Sequence, residues 1–252
     1  MVDPYFWTVA VLAVFLVALS KSGLLGSIGF VGVPLLTLVM PAREAAGMML
    51  PILLVMDAFA VVAYRRDVDW SNFRVIVSGA VVGIGVGWAL SALVSDEMVL
   101  LGVGVLTLAF VIDAAFPIRK KLAGAPPSKP WGRFWGGIAG FTSFVSHTGG
   151  PPFQIYVLPQ RLPPALYAGT TAWCFATINT IKLVPYYFLG QLSPGNLTIA
   201  AILAPVAAVG MLIGIYLVRR ISPELFYKIA YVLVFFLGLK LVWDGARGVF
   251  GI

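Results

Sequence analysis

The sequence predicts an all-α integral membrane protein: a polytopic helical bundle of two repeats, with a broken or re-entrant helix at the start of each half. Three observations carry that prediction. Hydrophobic residues make up 60% of the chain and charged residues only 11%, against roughly 45–50% and about 25% in soluble domains. Apolar stretches of about 20 residues, the length a helix needs to cross a hydrocarbon core of about 30 Å, recur through all 252 residues and leave nothing for a soluble domain. In two of these stretches the helix has to stop. Ser146 to Pro152 reads S-H-T-G-G-P-P, and in a helix interior glycine costs about 1 kcal/mol and proline about 3 kcal/mol relative to alanine.

The formal net charge of +7 raises the possibility of nucleic acid as a partner. The basic residues, however, cluster in short loops between apolar segments, as they do in cytoplasmic loops of membrane proteins. The charge is therefore read as topology, with no nucleic-acid partner. Cys174 is the only cysteine, which excludes a disulfide framework and a cysteine-rich metal site. The opening M-V-D-P-Y-F-W carries an acid and no basic residue ahead of its apolar run, so it reads as an uncleaved first helix rather than a signal peptide.

In chain order, Tyr5 to Leu19 is a short apolar helix, and Gly23, Gly26, Gly29, Gly32 and Pro34 make a second break before apolar character resumes to Met40. This piece is too long for one span and barely long enough for two, which favours half-length or tilted helices. Ala45 to Tyr64 is a full span carrying Asp57, followed by a basic loop with Arg65, Arg66 and Arg74. Val75 to Val94 has Gly79, Gly83 and Gly87 at every fourth position, a face that admits close helix packing. An acidic turn at Asp96 and Glu97 leads into Met98 to Phe116.

Three units follow: a first membrane repeat over 1–118, a cytoplasmic connecting loop over 119–133 holding Arg119, Lys120, Lys121, Lys129 and Arg133, and a second repeat over 134–252. The second repeat has the broken segment Phe134 to Leu158, a turn with Arg161, the long span Ala165 to Leu189, an uncharged turn, Leu197 to Val218, Arg219 with Arg220, and a last span from Ser222.

The halves match in order. An offset of 118 relates Gly32 to Gly150, Pro34 to Pro152, Pro41 to Pro159 and Arg43 to Arg161; 124 relates Asn72 to Asn196; 127 relates Gly83 to Gly210, Gly87 to Gly214, Ser95 to Ser222 and Glu97 to Glu224. The charge pattern inverts between halves. Putting Arg65, Arg66, Arg74, the 119–133 loop, Arg161, Arg219 and Arg220 in the cytoplasm collects 11 of the 17 basic residues there, which favours an inverted repeat whose broken segments enter and leave on one side or cross twice. The other arrangement is eight simple spans in two parallel sets of four, with Arg219 and Arg220 outside.

Breaks at membrane depth survive where the freed backbone faces protein or a water-filled cavity, so each points to a binding site. Backbone N–H groups at the start of a half-helix carry the positive end of its dipole. Two such ends, around Gly32, Val33 and Pro34 and around Thr148, Gly149 and Gly150, are expected to converge on an anion near the midplane. Lys182 lies mid-span, where an ammonium is functional or paired, with Asn179 one turn before it and Thr171 further back. Pairing of Lys182 with Asp57 to hold two helices is the structural alternative. His147, the only histidine, could donate to the anion or carry a coupled proton, or cap the broken backbone. Thr148 and Gln154 are further donors, and Lys21 sits at the mouth of the first break or snorkels to the interface. Enzyme readings lack support: there is no H-E-x-x-H, P-loop or G-x-S-x-G. A single histidine excludes a histidine-rich metal site, and no cofactor is expected.

The run S-H-T-G-G-P-P-F-Q-I-Y-V-L-P-Q-R-L-P, then Gly169–Thr170, N-T-I-K at Asn179 to Lys182 and P-Y-Y-F-L-G at Pro185 to Gly190, resembles the TauE/SafE sulfite exporter family. The glycine-rich K-S-G-L-L-G-S-I-G-F-V-G-V-P-L-L is similar to that family's opening motif, with Phe30, Val31 and Val33 replacing some of its glycines. The resemblance spans the whole chain. It implies a multi-pass protein of the bacterial inner membrane that transports a small sulfur-containing anion, such as sulfite or a sulfonate, by alternating access. A channel-like anion uniporter and a non-transporting membrane scaffold are the competing readings.

Overall fold

Helices begin where the chain supplies a side-chain cap or a proline. Asp3 accepts a hydrogen bond from Tyr5 N and starts α1 (Pro4–Leu19); Asp69 accepts from Ser71 N and Asn72 N and starts α4 (Trp70–Leu90). Both satisfy donors that have no partner within the helix. Prolines open α6 (Lys129–Ser146) and α8 (Pro164–Phe188), where a missing N–H costs nothing. Pro130 thus makes Lys129 to Arg133 helical, and the connecting loop expected to reach Arg133 ends at Ser128.

The structure, a computed structural model, describes residues 3–24, 31–93, 95–115, 128–217 and 223–251. The remaining helices are α2 (Gly32–Leu36), α3 (Ala42–Ala63), α5 (Asp96–Ala115), α7 (Gly150–Val157), α9 (Pro194–Leu217) and α10 (Pro223–Phe250). A π-helical turn, Ser20–Leu24, extends α1, and a 3-10 turn, Leu158–Gln160, extends α7. Gly26 and Gly29 of the first break, most of the connecting loop, and Arg219 and Arg220 lie outside the described residues. Among the described residues, four helical stretches are long and apolar enough to cross a membrane: Pro4–Ser22, Ala42–Ala63, Trp70–Leu90 and Pro194–Gly214. Their exposed faces carry residues such as Val62, Val82 and Leu212, as lipid contact requires.

The chain reverses direction after α6. In the second half, a Cβ placed on Gly149 would fall 2.6 Å from Ala139 O, and one on Gly132 would fall 2.5 Å from Tyr156 Cζ. The chain after the break therefore returns along α6 until Tyr156 stands beside the first turn of that helix. In the first half Gly32 is packed against Val17 of α1 and Met49 of α3, and Phe6 shares a cavity wall with Val39, Met40 and Pro41.

The long helices then interlock across the halves. α1 packs on α9 while α6 packs on α4; α3 packs on α9 while α8 packs on α4; α3 meets α8 and α5 meets α10. Exchanging the halves leaves this set of pairs unchanged. Water-free helix contacts depend on close packing rather than on hydrophobic burial, and here glycine supplies it. Cβ atoms on Gly79 and Gly83 would lie 2.1 and 1.9 Å from Arg133 O and Gly137 O, so α4 and α6 touch backbone to backbone. α3 occupies the centre, with Met48, Met49, Leu50, Ile52 and Met56 buried.

α3 and α8 run antiparallel. Gly169, near the start of α8, abuts Tyr64 O and Asp67 O just beyond α3, whereas Gln191 O, just beyond α8, abuts Gly47 near the start of α3.

Candidate functional site

One face of α8 carries Phe175, Asn179, Lys182 and Tyr186, spaced i, i+4, i+7 and i+11, so they form one stripe along the helix. Each meets a different part of the other elements. Phe175 touches Gly149 at the break; Asn179 Nδ2 donates to Asp57 Oδ2 of α3 at 2.5 Å; Tyr186 Oη donates to Phe144 O at 2.5 Å. Lys182 is fully buried. Its ammonium donates to Ser143 O and Ser143 Oγ, both at 3.0 Å, and to His147 Nδ1 at 2.6 Å. Three acceptors match the three N–H bonds of an ammonium.

His147 is where α6 ends. Its φ of 58° lies in the left-handed region, uncommon for a residue with a Cβ and characteristic of helix ends and functional sites. Its N–H bonds to Ser143 O at 3.0 Å and the following Thr148 N–H reaches Thr142 O at 3.3 Å. The ring bridges two helices. Nε2 meets Ala46 O of α3 at 2.9 Å, and a carbonyl only accepts, so the proton sits on Nε2 and Nδ1 accepts from Lys182.

Asp57 is buried and its second oxygen is paired with Lys21, on the π-helical turn. This corrects the alternative that Lys182 pairs with Asp57. Lys21 takes the carboxylate, Asn179 is the partner that α8 contributes, and among the described residues Lys182 has only neutral acceptors. The reason is reach: Lys182 stands one turn further along α8 and faces the end of α6.

The remaining candidates divide. Thr148 turns its hydroxyl to Thr142 O at 3.2 Å and pairs with Ser146 Oγ at 2.9 Å, so it satisfies carbonyls freed by the break. Pro151 and Pro152 have no N–H, and Phe153 N bonds to Gly149 O at 3.3 Å. The backbone donors of that end therefore come from Gly149 and Gly150 rather than from a longer run. A Cβ on Gly150 would meet nothing within 4 Å; this glycine borders open space. Gln154 is buried on α7. Thr171 donates to Tyr167 O of its own helix at 2.7 Å, two turns away from Asn179. Gly32, Val33 and Pro34 are buried between α1 and α3, with Val33 and Leu36 in the apolar core. The hydrogen bonds of His147 run to α3, α6 and α8 rather than to the five-residue α2.

A cavity of about 730 Å³ opens where α3 begins and α8 ends, lined by Phe6, Met40, Arg43, Glu44, Gln191 and Asn196 among others. Ala46, whose carbonyl meets His147, is one helical turn further into α3 than Arg43 of the cavity wall. From Ala46 to Asp57 the polar contacts run along 11 residues of α3, about 16 Å at 1.5 Å per residue.

Sequence reasoning assigned no part in the site to Ser143, Tyr186 and the carbonyl of Ala46. Helical spacing was the available signal for the first two, since Ser143 is four residues before His147 and Tyr186 four after Lys182. A backbone carbonyl leaves no mark in sequence.

Neither the curated proteins nor the solved structures contain a match to this chain. The profile of the family described as Sulfite exporter TauE/SafE matches residues 10–241, nearly the whole bundle, and the chain therefore belongs to the TauE/SafE sulfite exporter family of membrane transporters.

Proposed function

We propose that the protein is a secondary transporter that carries a small sulfur oxyanion, such as sulfite or a small sulfonate, across the bacterial inner membrane by alternating access. The observation that carries this reading is Lys182: a buried ammonium at mid-bundle held by neutral acceptors alone. Isolated charges at such depth are expensive and mark substrate or ion pathways. An oxyanion arriving from the adjacent cavity supplies the missing negative charge. Asn179 and the N–H groups of Gly149 and Gly150 are the neutral donors assigned to it, while the proton of His147 is turned to Ala46 O. In this conformation the three Lys182 protons are committed, so binding requires the anion to displace Ser143 or His147. That exchange is the local event that frees the α6–α7 segment to move.

The architecture that goes with this reading is an inverted repeat with two re-entrant hairpins. Its support is a consistent assignment of ends. Asn72 Nδ2 bonds Gln160 Oε1 at 2.8 Å and Asp69 N bonds Thr170 Oγ1 at 2.9 Å, which gathers the starts of α4, α6 and α8 on one side. Arg43 Nη2 bonds Ser91 O at 3.1 Å and Gly248 abuts Glu97, which gathers the start of α3, the end of α4, the start of α5 and the end of α10 on the other. With each opening segment returning to its own side, three helices per half cross, and an odd number inverts the second half. Pairs of this kind rock against each other about a midplane site. His147, bridging α3 and Lys182, is the candidate for a coupled proton.

The test is binding and flux. Purified protein should be thermally stabilised by sulfite, thiosulfate or a small sulfonate, and in proteoliposomes should accumulate the bound anion against its gradient when a proton gradient is imposed. Downhill flux insensitive to a protonophore would instead select a uniporter, and no stabilisation by any sulfur oxyanion would reject transport of this class.

A further inference from the structure

The cluster contains one carboxylate for two ammonium groups. Asp57 gives Oδ1 to Lys21 and Oδ2 to Asn179, and Asn179 stands one turn from Lys182 on the same face of α8, where side chains are neighbours. Among the described residues, the other polar groups facing this space are uncharged: His147 gives its single proton to Ala46 O and accepts from Lys182, Ser143 offers a carbonyl and a hydroxyl, and Tyr186 donates to Phe144 O. Asp57 neutralises one lysine and leaves the other. We propose that Asp57 is the site's built-in anion and that, with Lys21 and Lys182, it leaves one unit of positive charge, so that the site takes a singly charged oxyanion in preference to a doubly charged one.

The physical basis is desolvation. Both Asp57 and Asn179 are almost fully buried, and in such surroundings an uncompensated charge is far more expensive than at a surface. A single negative charge balances the cluster; a second one is left without a partner. Asp57 also resembles the ligand it would accompany, since two of its oxygens already accept from a lysine and an amide. When the substrate takes Lys182, Asp57 keeps Lys21 occupied and holds the total charge at zero. The selection lies in the charge count and is separate from the size and shape of the anion.

This inference rests on the assignment of the Lys182 cluster as the anion site, and the experiment separates the two. The probes are methanesulfonate, with one charge, and sulfate, with two, titrated calorimetrically at neutral pH onto the purified full chain. The wild type should bind methanesulfonate at least tenfold more tightly than sulfate. Asp57→Asn raises the site by one positive charge and should shift the affinity ratio at least tenfold toward sulfate. The double variant Asp57→Asn with Lys21→Gln restores the original charge and should restore the original ratio. Should the single variant fail to fold, the wild-type ratio and the charge-matched double variant still decide. A wild type that binds both probes equally, or a ratio unmoved in Asp57→Asn, overturns the charge rule alone. A wild type that binds neither overturns the site assignment beneath it.

Discussion

Lys182 Nζ and His147 Nδ1 lie 2.6 Å apart, and the opposite nitrogen of the same ring is 2.9 Å from Ala46 O. One imidazole thus ties the buried cation of α8 to the backbone of α3 from a residue whose own backbone is left-handed. The two contributions separate by substitution. His147→Ala loses the bridge and keeps the strain; His147→Gly loses the bridge and relieves it. The left-handed conformation costs roughly 1–2 kcal/mol for a residue with a Cβ, so the glycine variant should unfold at the higher temperature in a detergent melt. Equal melting temperatures would mean that the backbone at 147 relaxes on its own.

Lys182→Met keeps most of the length of the side chain and removes its charge. The loss leaves Ser143 O and His147 Nδ1 without one partner, a penalty of about 1–3 kcal/mol for each buried group left unsatisfied. It also removes a buried charge that has no carboxylate partner, and so relieves a desolvation cost of several kcal/mol. The terms offset, so thermal stability without ligand should change little. Oxyanion affinity should fall at least tenfold, because the cation that draws the anion in is gone. Normal sulfite or sulfonate transport by this variant would remove Lys182 from the site.

The position of the break after α6, the small-residue face of α4 and the polar face of α8 were legible because each rests on local chemistry: Gly-Gly and Pro-Pro in the run to Pro152, Gly79 to Gly87 at every fourth position, and Asn179 and Lys182 one turn apart. Which cation meets Asp57 was not. Lys21 and Lys182 are both within an apolar stretch, and the choice depends on where α1 and α8 cross α3, a tertiary fact. That Pro151 and Pro152 supply no backbone donor could have been read directly, since neither has an N–H. The partner of the α4 glycine face was hidden for another reason: α6 has four glycines of its own, Gly132, Gly136, Gly137 and Gly140, and only the fold reveals that they face α4.

That seam gives a prediction with its control on one helix. A Cβ at Gly83 would stand 1.9 Å from Gly137 O, whereas one at Gly85 would meet nothing within 4 Å. Gly83→Ala has to push two backbones apart, at a cost of about 1–3 kcal/mol or more from overpacking. Gly85→Ala gains up to about 1 kcal/mol of helix propensity with no clash. The two alanine variants should therefore move the melting temperature in opposite directions. A shared direction would mean that α4 and α6 do not meet through these glycines.

The inverted arrangement is decided by the side on which Arg161 lies. Its neighbour Gln160 bonds Asn72, which is capped by Asp69 at the start of α4, so the turn after α7 shares a side with the Arg65 and Arg66 loop. In two parallel sets of spans it would lie opposite that loop. Ser193, at the start of α9, should be on the other side, near Arg43 and the cavity. On a Cys174→Ser background, which removes the only native thiol, a cysteine at Ser193 should react with an impermeant thiol reagent from outside whole cells, and one at Arg161 only after the membrane is opened. The opposite pattern would require the segment from Lys129 to Gln160 to cross the bilayer. The return of Tyr156 to Gly132 along α6 argues against that, because a crossing chain would carry those residues apart by the length of the helix rather than bring them into contact.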